Sequence, residues 1–520
     1  MIASHDIAII GSGFAGSLMA MIARRLGYSV ILLERGRHPR VTIGESSTPL
    51  ANLLLEELSC CYNLPAIKPL SKWGSWQKTY PEVACGLKRG FTFYHHLLGT
   101  PDTPDPNREN QLLVAASPHD QIADTHWYRA DFDLLLVHQA QELGVDYLDN
   151  VTLHHVVELE DGVSFDVIKD GTTAAHRAKF LIDATGPRGF LHSQWKIPEL
   201  GFVNYPETSA LYSHFSGVAH PHSETQVRPN EAIPYPPEDA AVHHVFDGGW
   251  IWVLRFNNGM TSAGAAVTKE VAAHLRIEEG ESAWLRLLNL IPTLKEQFIA
   301  TRPEQPFRYL PKLSYRTSRA CGNRWAMLPS AAGFVDPLLS TGFPLTLLGI
   351  TRLADVLAIG LDSPQLSSEL QAYADRTMKD LFSTSRLVAA LYASMKNFAV
   401  FKSLCLLYFA AASYSETVRR LNKPHLAESF LLHDDAIFGP SSRSLLERSM
   451  HVAPGTESEQ LIEDILCAIE PFDVAGLTVR NQSSWYPVHA TDLLTSASKV
   501  GSTPEEIEVL LQICGFYQPN

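Results

Sequence analysis

The sequence contains few cysteines, and no two of them have a metal-binding or redox spacing. Seven cysteines are scattered over 520 residues, and no Cys-x-x-Cys pair occurs. This pattern excludes a disulfide framework and a structural zinc site. A reducing compartment fits best, so we expect a cytoplasmic protein.

Basic residues and long apolar runs are also scarce. Lysine and arginine number 42 against 56 aspartates and glutamates, a net charge of −14, whereas nucleic-acid-binding proteins usually present a basic face. The most apolar late segment, residues 403–414, is too short to span a bilayer, and no signal-like apolar core follows the first residues. We therefore expect no nucleic-acid partner, no membrane span, and a buried helix at 403–414.

The first 34 residues have the pattern of a β-α-β unit. Residues 5–10 form a short apolar run, and residues 29–33 form a second one. Between them, residues 14–27 carry small and apolar side chains at helical spacing and end at a glycine suited to a helix C-terminus. The pattern predicts two buried strands joined by a helix.

A glycine motif stands where the first predicted strand meets the helix. Residues 11–16, Gly-Ser-Gly-Phe-Ala-Gly, match G-x-G-x-x-G, and an acidic residue follows the second strand. The first glycine permits a tight turn, the second lets the backbone approach a pyrophosphate, and the third lets helix and strand pack closely. The helix N-terminus then stabilises the phosphate charge. The motif predicts a dinucleotide site, without deciding between FAD and NAD, formed by Gly11, Gly13, Phe14, Ala15, Gly16, Glu34 and Arg35.

The rest of the chain predicts a mixed sheet followed by helices. Residues 178–184 form another apolar strand, and 249–256 and 260–267 form a hairpin whose Asn258-Gly259 step suits a type I′ turn. From about residue 345 the periodicity is helical. We predict an α/β fold in which a Rossmann-like core of the FAD-binding, monooxygenase type is interwoven with a mixed β-sheet. Residues 1–350 would form this module, and 351–520 a mostly helical C-terminal region.

Three later segments resemble the FAD motifs of the flavoprotein monooxygenase superfamily. They are Asp183-Ala184-Thr185-Gly186, Gly333-Phe334-Val335-Asp336-Pro337, and an arginine shortly before Asp131-Phe132-Asp133. The resemblance implies that FAD is the dinucleotide. It also implies FAD contacts for Arg129, Asp183, Gly186 and Asp336.

Four segments together resemble the flavin-dependent halogenases, in particular their phenol-type bacterial branch. Residues 44–49 (GESSTP) are similar to the strap beside the flavin, and residues 85–93 (CGLKRGFTF) to the lysine segment. Residues 249–254 (GWIWVL) are similar to the Trp-x-Trp motif, and residues 329–342 (PSAAGFVDPLLSTG) to the segment around Asp-Pro.

The resemblance implies a reaction and roles for particular residues. Reduced FAD, supplied by a separate flavin reductase, would react with oxygen and with chloride or bromide to give hypohalous acid. This acid would halogenate an electron-rich aromatic substrate in natural-product biosynthesis, and the resemblance favours a phenol, free or carrier-tethered. Lys88 would be the catalytic residue that receives the acid. The resemblance further places Ser46, Ser47 and Thr48 at the cofactor. It places Thr341 and Gly342 at the halide, with Gly342 also contacting FAD. Trp250 and Trp252 would obstruct direct hydroxylation of the substrate.

Two positions depart from the family pattern. Arg255 stands where the tryptophan motif ends in proline, so the shape of that strand is open. Leu339 stands where the free-tryptophan halogenases have glutamate, which favours a phenol over free tryptophan. For the base that activates the phenol, the sequence does not choose among His95, His96, Asp124 and His126. The adjacent histidines His243 and His244 do not form a metal site, because neighbouring residues of a strand point to opposite faces of the sheet.

Three other functions stay open at this point. A flavin-dependent aromatic hydroxylase would share the fold, but the lysine segment and the paired tryptophans argue against it. A saturating reductase of the geranylgeranyl-reductase type has no support in the lysine segment. A non-catalytic flavin-fold protein that binds a partner through its helical region is the third alternative.

Overall fold

The structure, a computed structural model, describes residues 3–101, 105–221, 232–479 and 484–517. Its strands are, in chain order, β1 Ala3–Ile10, β2 Val30–Leu33, β3 Cys85–Lys88, β4 Gly90–His95, β5 Gln111–Ala115, β6 Asp124–Trp127, β7 Asp146–Leu148, β8 Thr152–Leu159, β9 Gly162–Lys169, β10 Thr172–Asp183, β11 Glu199–Leu200, β12 Thr208–Ser216, β13 Ala241–Phe246, β14 Gly249–Arg255, β15 Met260–Thr268, β16 Arg302–Pro303, β17 Arg308–Leu310, β18 Tyr315–Thr317, β19 Trp325–Met327, β20 Gly333–Phe334 and β21 Trp485–Tyr486.

The helices become longer and more frequent after residue 340. They are α1 Phe14–Arg25, α2 Pro49–Cys61, α3 Trp73–Thr79, α4 Arg129–Glu142, α5 Phe190–Gln194, α6 Lys269–Leu275, α7 Glu281–Asn289, α8 Pro292–Gln297, α9 Pro329–Ala332, α10 Gly342–Ala358, α11 Leu366–Ser394, α12 Phe398–Arg420, α13 Phe438–Ser449, α14 Thr456–Ile469, α15 Ala490–Thr495 and α16 Pro504–Cys514.

The first sheet has the order β7-β2-β1-β10-β9-β8, and β19 pairs the last residues of β10, beyond the part that pairs β9. Strands β2, β1, β10 and β19 are parallel, so their carboxyl ends lie at one edge. The glycine motif, Glu34 and the turn after β10 therefore converge there, which is where α/β sheets bind ligands. The predicted β-α-β unit and the mixed α/β fold are confirmed.

The second sheet has the order β16-β12-β15-β14-β13-β4-β5-β21 and carries the tryptophan hairpin. The predicted hairpin is present as β14 and β15. The predicted type I′ turn is wrong, because that turn needs positive φ at both central residues. Gly259 has φ +80°, whereas Asn258 is not in the left-handed region and its side chain accepts from the Met260 N–H at 3.1 Å.

The helices after residue 340 pack onto the α/β core instead of forming a detached unit. Helix α12 contacts α2, and one hydrophobic cluster joins Leu54 to Leu404 and Leu511. The domain boundary at residue 350 falls inside α10 and stays a prediction.

One length estimate from the sequence is wrong. The apolar helix around 403–414 extends over Phe398–Arg420, and this helix and the segment Leu338–Ala358 are long and apolar enough to cross a membrane. However, 78% and 72% of their apolar windows are buried inside the protein. These are the positions of core helices.

Candidate active site

The glycine loop leaves no room for side chains at two of its glycines. Gly11 has φ +95°, and a Cβ there would lie 2.7 Å from the Ala184 carbonyl oxygen. A Cβ on Gly16 would lie 1.9 Å from the Gly11 oxygen. Helix α1 follows directly, with Phe14 and Ala15 buried in its first turn. The loop thus has the tight turn and the close helix–strand approach of a dinucleotide site.

Glu34 is buried at the end of β2 and faces the loop. It accepts from the Ser12 N–H at 3.0 Å and from the Gly36 N–H at 2.9 Å, and Arg40 lies 3.4 Å away. Burial alone would raise the pKa of Glu34, but Arg40 and these donors outweigh it and hold the pKa below its ordinary value. Arg35 is exposed. Sequence reasoning missed Arg40, which stands in an irregular loop with no motif around it.

Arg129 begins α4 and is buried. It forms a two-pronged ion pair with Asp133 at 2.7 and 2.9 Å and donates to the Gly44 carbonyl at 2.8 Å. A Cβ on Gly13 would lie 3.5 Å from Arg129 and 3.6 Å from Arg40. Two guanidinium groups therefore flank the glycine where a pyrophosphate would approach. This charge distribution and the carboxylate of Glu34 fit FAD.

Asp183 and Asp336, two predicted cofactor residues, are buried and hold backbone in place. Asp183 accepts from the Thr185 N–H at 3.0 Å and so shapes the turn that contains Gly186, whose φ is +77°. Asp336 accepts from the Leu338 N–H at 3.0 Å and from the hydroxyl of Tyr392 at 3.0 Å. Burial raises the pKa of Asp336 to about 7.

The predicted halide residues follow a strained stretch of backbone. Leu339 and Ser340 have φ values of +62° and +55°, in the left-handed region that non-glycine residues rarely adopt. Thr341 is buried, and Gly342 opens α10, where amide N–H groups have no acceptor within the helix. A Cβ on Gly342 would meet nothing within 4 Å. Such strain often marks a functional site.

The strap, residues 44–49, is fastened to β6 along its length. The Trp127 N–H donates to the Glu45 carbonyl at 2.6 Å, and the Ser47 hydroxyl donates to the Thr125 carbonyl at 2.7 Å. Thr48 caps α2 by accepting from the Ala51 N–H at 3.2 Å. The strap therefore has a fixed position relative to β6.

Lys88, at the end of β3, is 0% exposed. Its amine donates to the Ser46 hydroxyl at 2.9 Å and to the Ser47 carbonyl, and it lies 3.8 Å from the centre of the Phe91 ring. Burial lowers the pKa of Lys88 to about 7. Arg89 points away, toward Asp120 at 2.7 Å. A buried lysine whose pKa is lowered by its surroundings thus lies against the strap.

The four candidate bases occupy different environments. Asp124 faces Lys88 across the β3–β6 pair. Burial lowers the pKa of His126 to about 3, and its ring contacts the Ala240 carbonyl at 3.2 Å. His95 stacks on Phe398, and His96 contacts the ring of His244.

His243 and His244 face opposite sides of β13, as expected. His243 stacks on Phe93, whereas His244 stacks on Tyr94. Among the described residues, no three His, Cys, Asp or Glu side chains form a group that could hold a metal ion.

The two tryptophans of the hairpin face the same side and are buried. Their rings lie 5.6 Å apart, and the Trp250 indole donates to the hydroxyl of Tyr392 at 3.2 Å. Trp252 donates to Ser262 at 3.3 Å. Arg255, in place of the family's proline, donates to the carbonyls of Val218 and Ala219 at 3.0 and 2.7 Å. The strand end is therefore held by hydrogen bonds.

A cavity of about 190 Å³ lies between this region and the C-terminal helices. Strap, β-strands and α2 supply Thr48, Asn52, Phe91 and Asp124. Helix α12 and the last residues supply Tyr408, Phe409, Glu416, Arg420 and Phe516. The sequence could not name this lining, because the contributing residues are up to 468 positions apart and share no motif.

Comparisons with known proteins find a family model and curated relatives. The family model described as "Tryptophan halogenase" matches residues 116–398. The chain is 28% identical to tetracycline 7-halogenase of Kitasatospora aureofaciens over 422 residues, 78% of this chain and 73% of that protein. It is 27% identical to monodechloroaminopyrrolnitrin halogenase PrnC of Pseudomonas fluorescens over 76% of this chain and 68% of that protein.

Solved structures share the fold. Halogenase PltM, crystallised with phloroglucinol and FAD, has a TM-score of 0.80 at 22% identity, covering 93% of this chain and 99% of that one. The flavin-dependent halogenase CmlS has a TM-score of 0.57 at 20% identity, covering 90% and 78%. The family model spans more than half of the chain. The chain therefore belongs to the family of flavin-dependent halogenases that this model describes, enzymes that use FAD, a halide and oxygen.

Proposed function

We propose that the protein halogenates a single-ring phenol with hypohalous acid that is received at the amine of Lys88. The observation that carries the proposal is the position of this amine. It is fully buried, it is held by the strap whose other end contacts Arg129, and its neighbour Phe91 also lines the cavity.

The residues that would hold FAD are those of the glycine loop with Glu34, Arg129, Asp183, Gly186, Asp336 and the strap residues Ser46, Ser47 and Thr48. Arg40 joins them, because it lies beside Gly13. When bound and reduced, FAD supplies the activation of oxygen through which a halide becomes hypohalous acid. Arg35 is the weakest member of the predicted set, since it is exposed.

Thr341 and Gly342 would hold the halide through backbone N–H groups. Such groups offer directed partial positive charge without a side chain that hypohalous acid would oxidise. The two left-handed residues before them lead the chain into α10. The first N–H groups of this helix have no acceptor within the helix, so they are available to a halide.

Lys88 would bind hypohalous acid and raise its reactivity. An ammonium group donates a hydrogen bond to the oxygen of the acid, so the halogen becomes more electrophilic and the leaving hydroxide can be protonated. With a pKa near 7 the amine can give and regain this proton at neutral pH. Its burial also keeps hypohalous acid from escaping into water.

Trp250 and Trp252 would close the wall between cofactor and substrate. Both rings are buried and fastened by hydrogen bonds, which favours a rigid barrier. A barrier of this kind would suppress direct hydroxylation of the phenol.

The size of the cavity supports a single-ring substrate. An apolar cavity of about 150 Å³ accepts benzene, and this one measures about 190 Å³. Phe91, Tyr408 and Phe409 offer aromatic faces to such a ring. We further propose that residues 1–350 perform the halogenation and that residues 351–520 complete the substrate cavity, because α12 and the last helices supply its far wall.

The test supplies reduced FAD, a phenol such as phloroglucinol and bromide, and measures product masses. We expect bromine increments from the wild type and their loss, by at least about 100-fold, in Lys88→Met with FAD binding intact. Lys78→Met, an exposed lysine on α3, is the control. Oxygen increments alone would indicate a hydroxylase, and full activity of Lys88→Met would overturn the proposal.

We also propose that a separate flavin reductase supplies the reduced FAD. The sequence carries one dinucleotide fingerprint, and it is assigned to FAD. The purified protein with FAD and oxygen should not consume NADH or NADPH. Steady oxidation of either nicotinamide by the protein alone would contradict this.

A further inference from the structure

We propose that Asp124 is the base that removes the phenol proton, with Asn52 as the residue that orients it; this rests on the proposed function. Asp124 is 6% exposed and lines the cavity. One carboxylate oxygen, Oδ1, accepts from the Asn52 amide at 2.8 Å. The other, Oδ2, is buried with no hydrogen-bond partner among the described residues. A buried acceptor of this kind needs a donor, and a phenol hydroxyl in the cavity would supply one.

Asp124 is also placed to act together with Lys88. The two residues are opposite each other in the antiparallel β3–β6 pair, where side chains on the same face lie close together. The amine nevertheless donates to Ser46 and Ser47, which leaves the second carboxylate oxygen available for a substrate. A phenol in the cavity would therefore meet Asp124 as a proton acceptor and Phe91, whose ring lies 3.8 Å from the Lys88 amine, on the side of the hypohalous acid.

The other candidate bases are less suited. His95, His96 and His126 are absent from the described lining of the cavity, where Asp124 stands. Glu416 does line it, but its carboxylate is occupied by Arg420 at 2.8 Å.

The electrostatics agree with a base that works near neutral pH. Burial raises the pKa of Asp124 to about 7, against the opposing effects of Lys88, Asn52 and Arg420. Glu416 adds to the increase. A catalytic carboxylate with a pKa in this range both accepts and releases protons efficiently.

The proton balance of the step is complete. As the ring carbon bonds to the halogen, the halogen–oxygen bond of hypohalous acid breaks, and the leaving hydroxide takes a proton from the Lys88 ammonium to form water. Asp124 takes the phenol proton at the same time, which leaves a neutral halogenated dienone. The amine then accepts the ring C–H proton and Asp124 returns its proton to the oxygen, so the halophenol forms and both side chains recover their charges.

The test compares Asp124→Asn with the wild type on phenols of different acidity. With phloroglucinol, we expect the rate to fall by about 10²–10⁴-fold, the usual contribution of a general base. With a nitrophenol already ionised at about pH 8, below the ordinary phenol pKa of about 10, the loss should be under about tenfold. Release of hypohalous acid, measured without phenol by bromination of an added β-diketone, should stay unchanged.

A second variant and a control complete the design. Asn52→Ala removes a donor that stabilises the carboxylate, so the acid limb of the pH–rate profile should move to higher pH. Asp120→Asn, an exposed carboxylate nearby, should match the wild type. Equal losses on both phenols, or loss of hypohalous acid release in Asp124→Asn, would overturn the role of Asp124. Full activity of Lys88→Met would instead count against the proposed function.

Discussion

Replacing Lys88 by methionine should abolish halogenation and at the same time stabilise the fold. A fall in the pKa of Lys88 from 10.5 to about 7 costs about 5 kcal/mol of folding free energy at neutral pH, at about 1.4 kcal/mol per pKa unit. Methionine removes this cost and can pack against Phe91. The Ser46 hydroxyl and the Ser47 carbonyl would lose their donor, which costs about 1–3 kcal/mol. The difference between the two is a net gain of about 2–4 kcal/mol.

The stability gained by Lys88→Met should depend on pH. Between pH 7 and 10.5 the unfolded wild type keeps the lysine proton and the folded protein has released it, so wild-type stability rises with pH across this window. The advantage of Lys88→Met should therefore shrink from about pH 7 to about pH 10. Urea unfolding of both proteins without FAD at several pH values measures this difference in the free energy of unfolding. A variant less stable than the wild type at neutral pH, or a gap that does not narrow, would refute the reasoning.

Three further substitutions test the cofactor loop and the strap. Gly13→Ala should fold normally, because its Cβ would have ordinary contacts of 3.5 Å, yet weaken FAD binding at least about tenfold in a fluorescence titration. Gly16→Ala, whose Cβ would lie 1.9 Å from a carbonyl oxygen, should lose more than about 3 kcal/mol and yield little folded protein; normal yield would contradict this. Glu45 forms a buried ion pair with His214 at 2.7 Å. Burial lowers the pKa of His214, but Glu45 outweighs it and the pKa is raised, so Glu45→Gln should cost about 3 kcal/mol below pH 6.5 and less at higher pH. An equal loss in urea midpoint at about pH 6 and pH 8.5 would argue against this pair.

The parts that the sequence predicted correctly are those in which neighbouring residues determine each other's positions. The turn at Gly11, the start of α1 and the strand before Glu34 depend on a few consecutive residues, so their pattern is visible in the chain. The turn at Asn258 was wrong for a related reason. Its dipeptide permits more than one turn, and the choice depends on a side-chain hydrogen bond to Met260.

The parts that the sequence could not predict depend on contacts between distant segments. Arg40 reaches Glu34 and the glycine loop only because an irregular loop folds back over β2. The cavity combines Asn52 with Arg420, and no periodicity connects the two positions. Nothing in the sequence favours Asp124 over three histidines as the base that activates the phenol. The position of Asp124 in the lining of the cavity distinguishes it from them.

The strap limits the distance between its contact with Arg129 and its contact with Lys88. Gly44 contacts Arg129 at the cofactor end, and Ser47 contacts the amine of Lys88. Three residues of fully extended chain span at most about 11 Å, so the backbone points that hold these two cations cannot be farther apart. Because the strap is also fastened to β6, which carries Asp124 toward the cavity, one segment of backbone fixes the spacing of cofactor loop, amine and base together. A substitution that loosens the strap should therefore lower halogenation more than it lowers FAD binding, since only the former depends on all three positions.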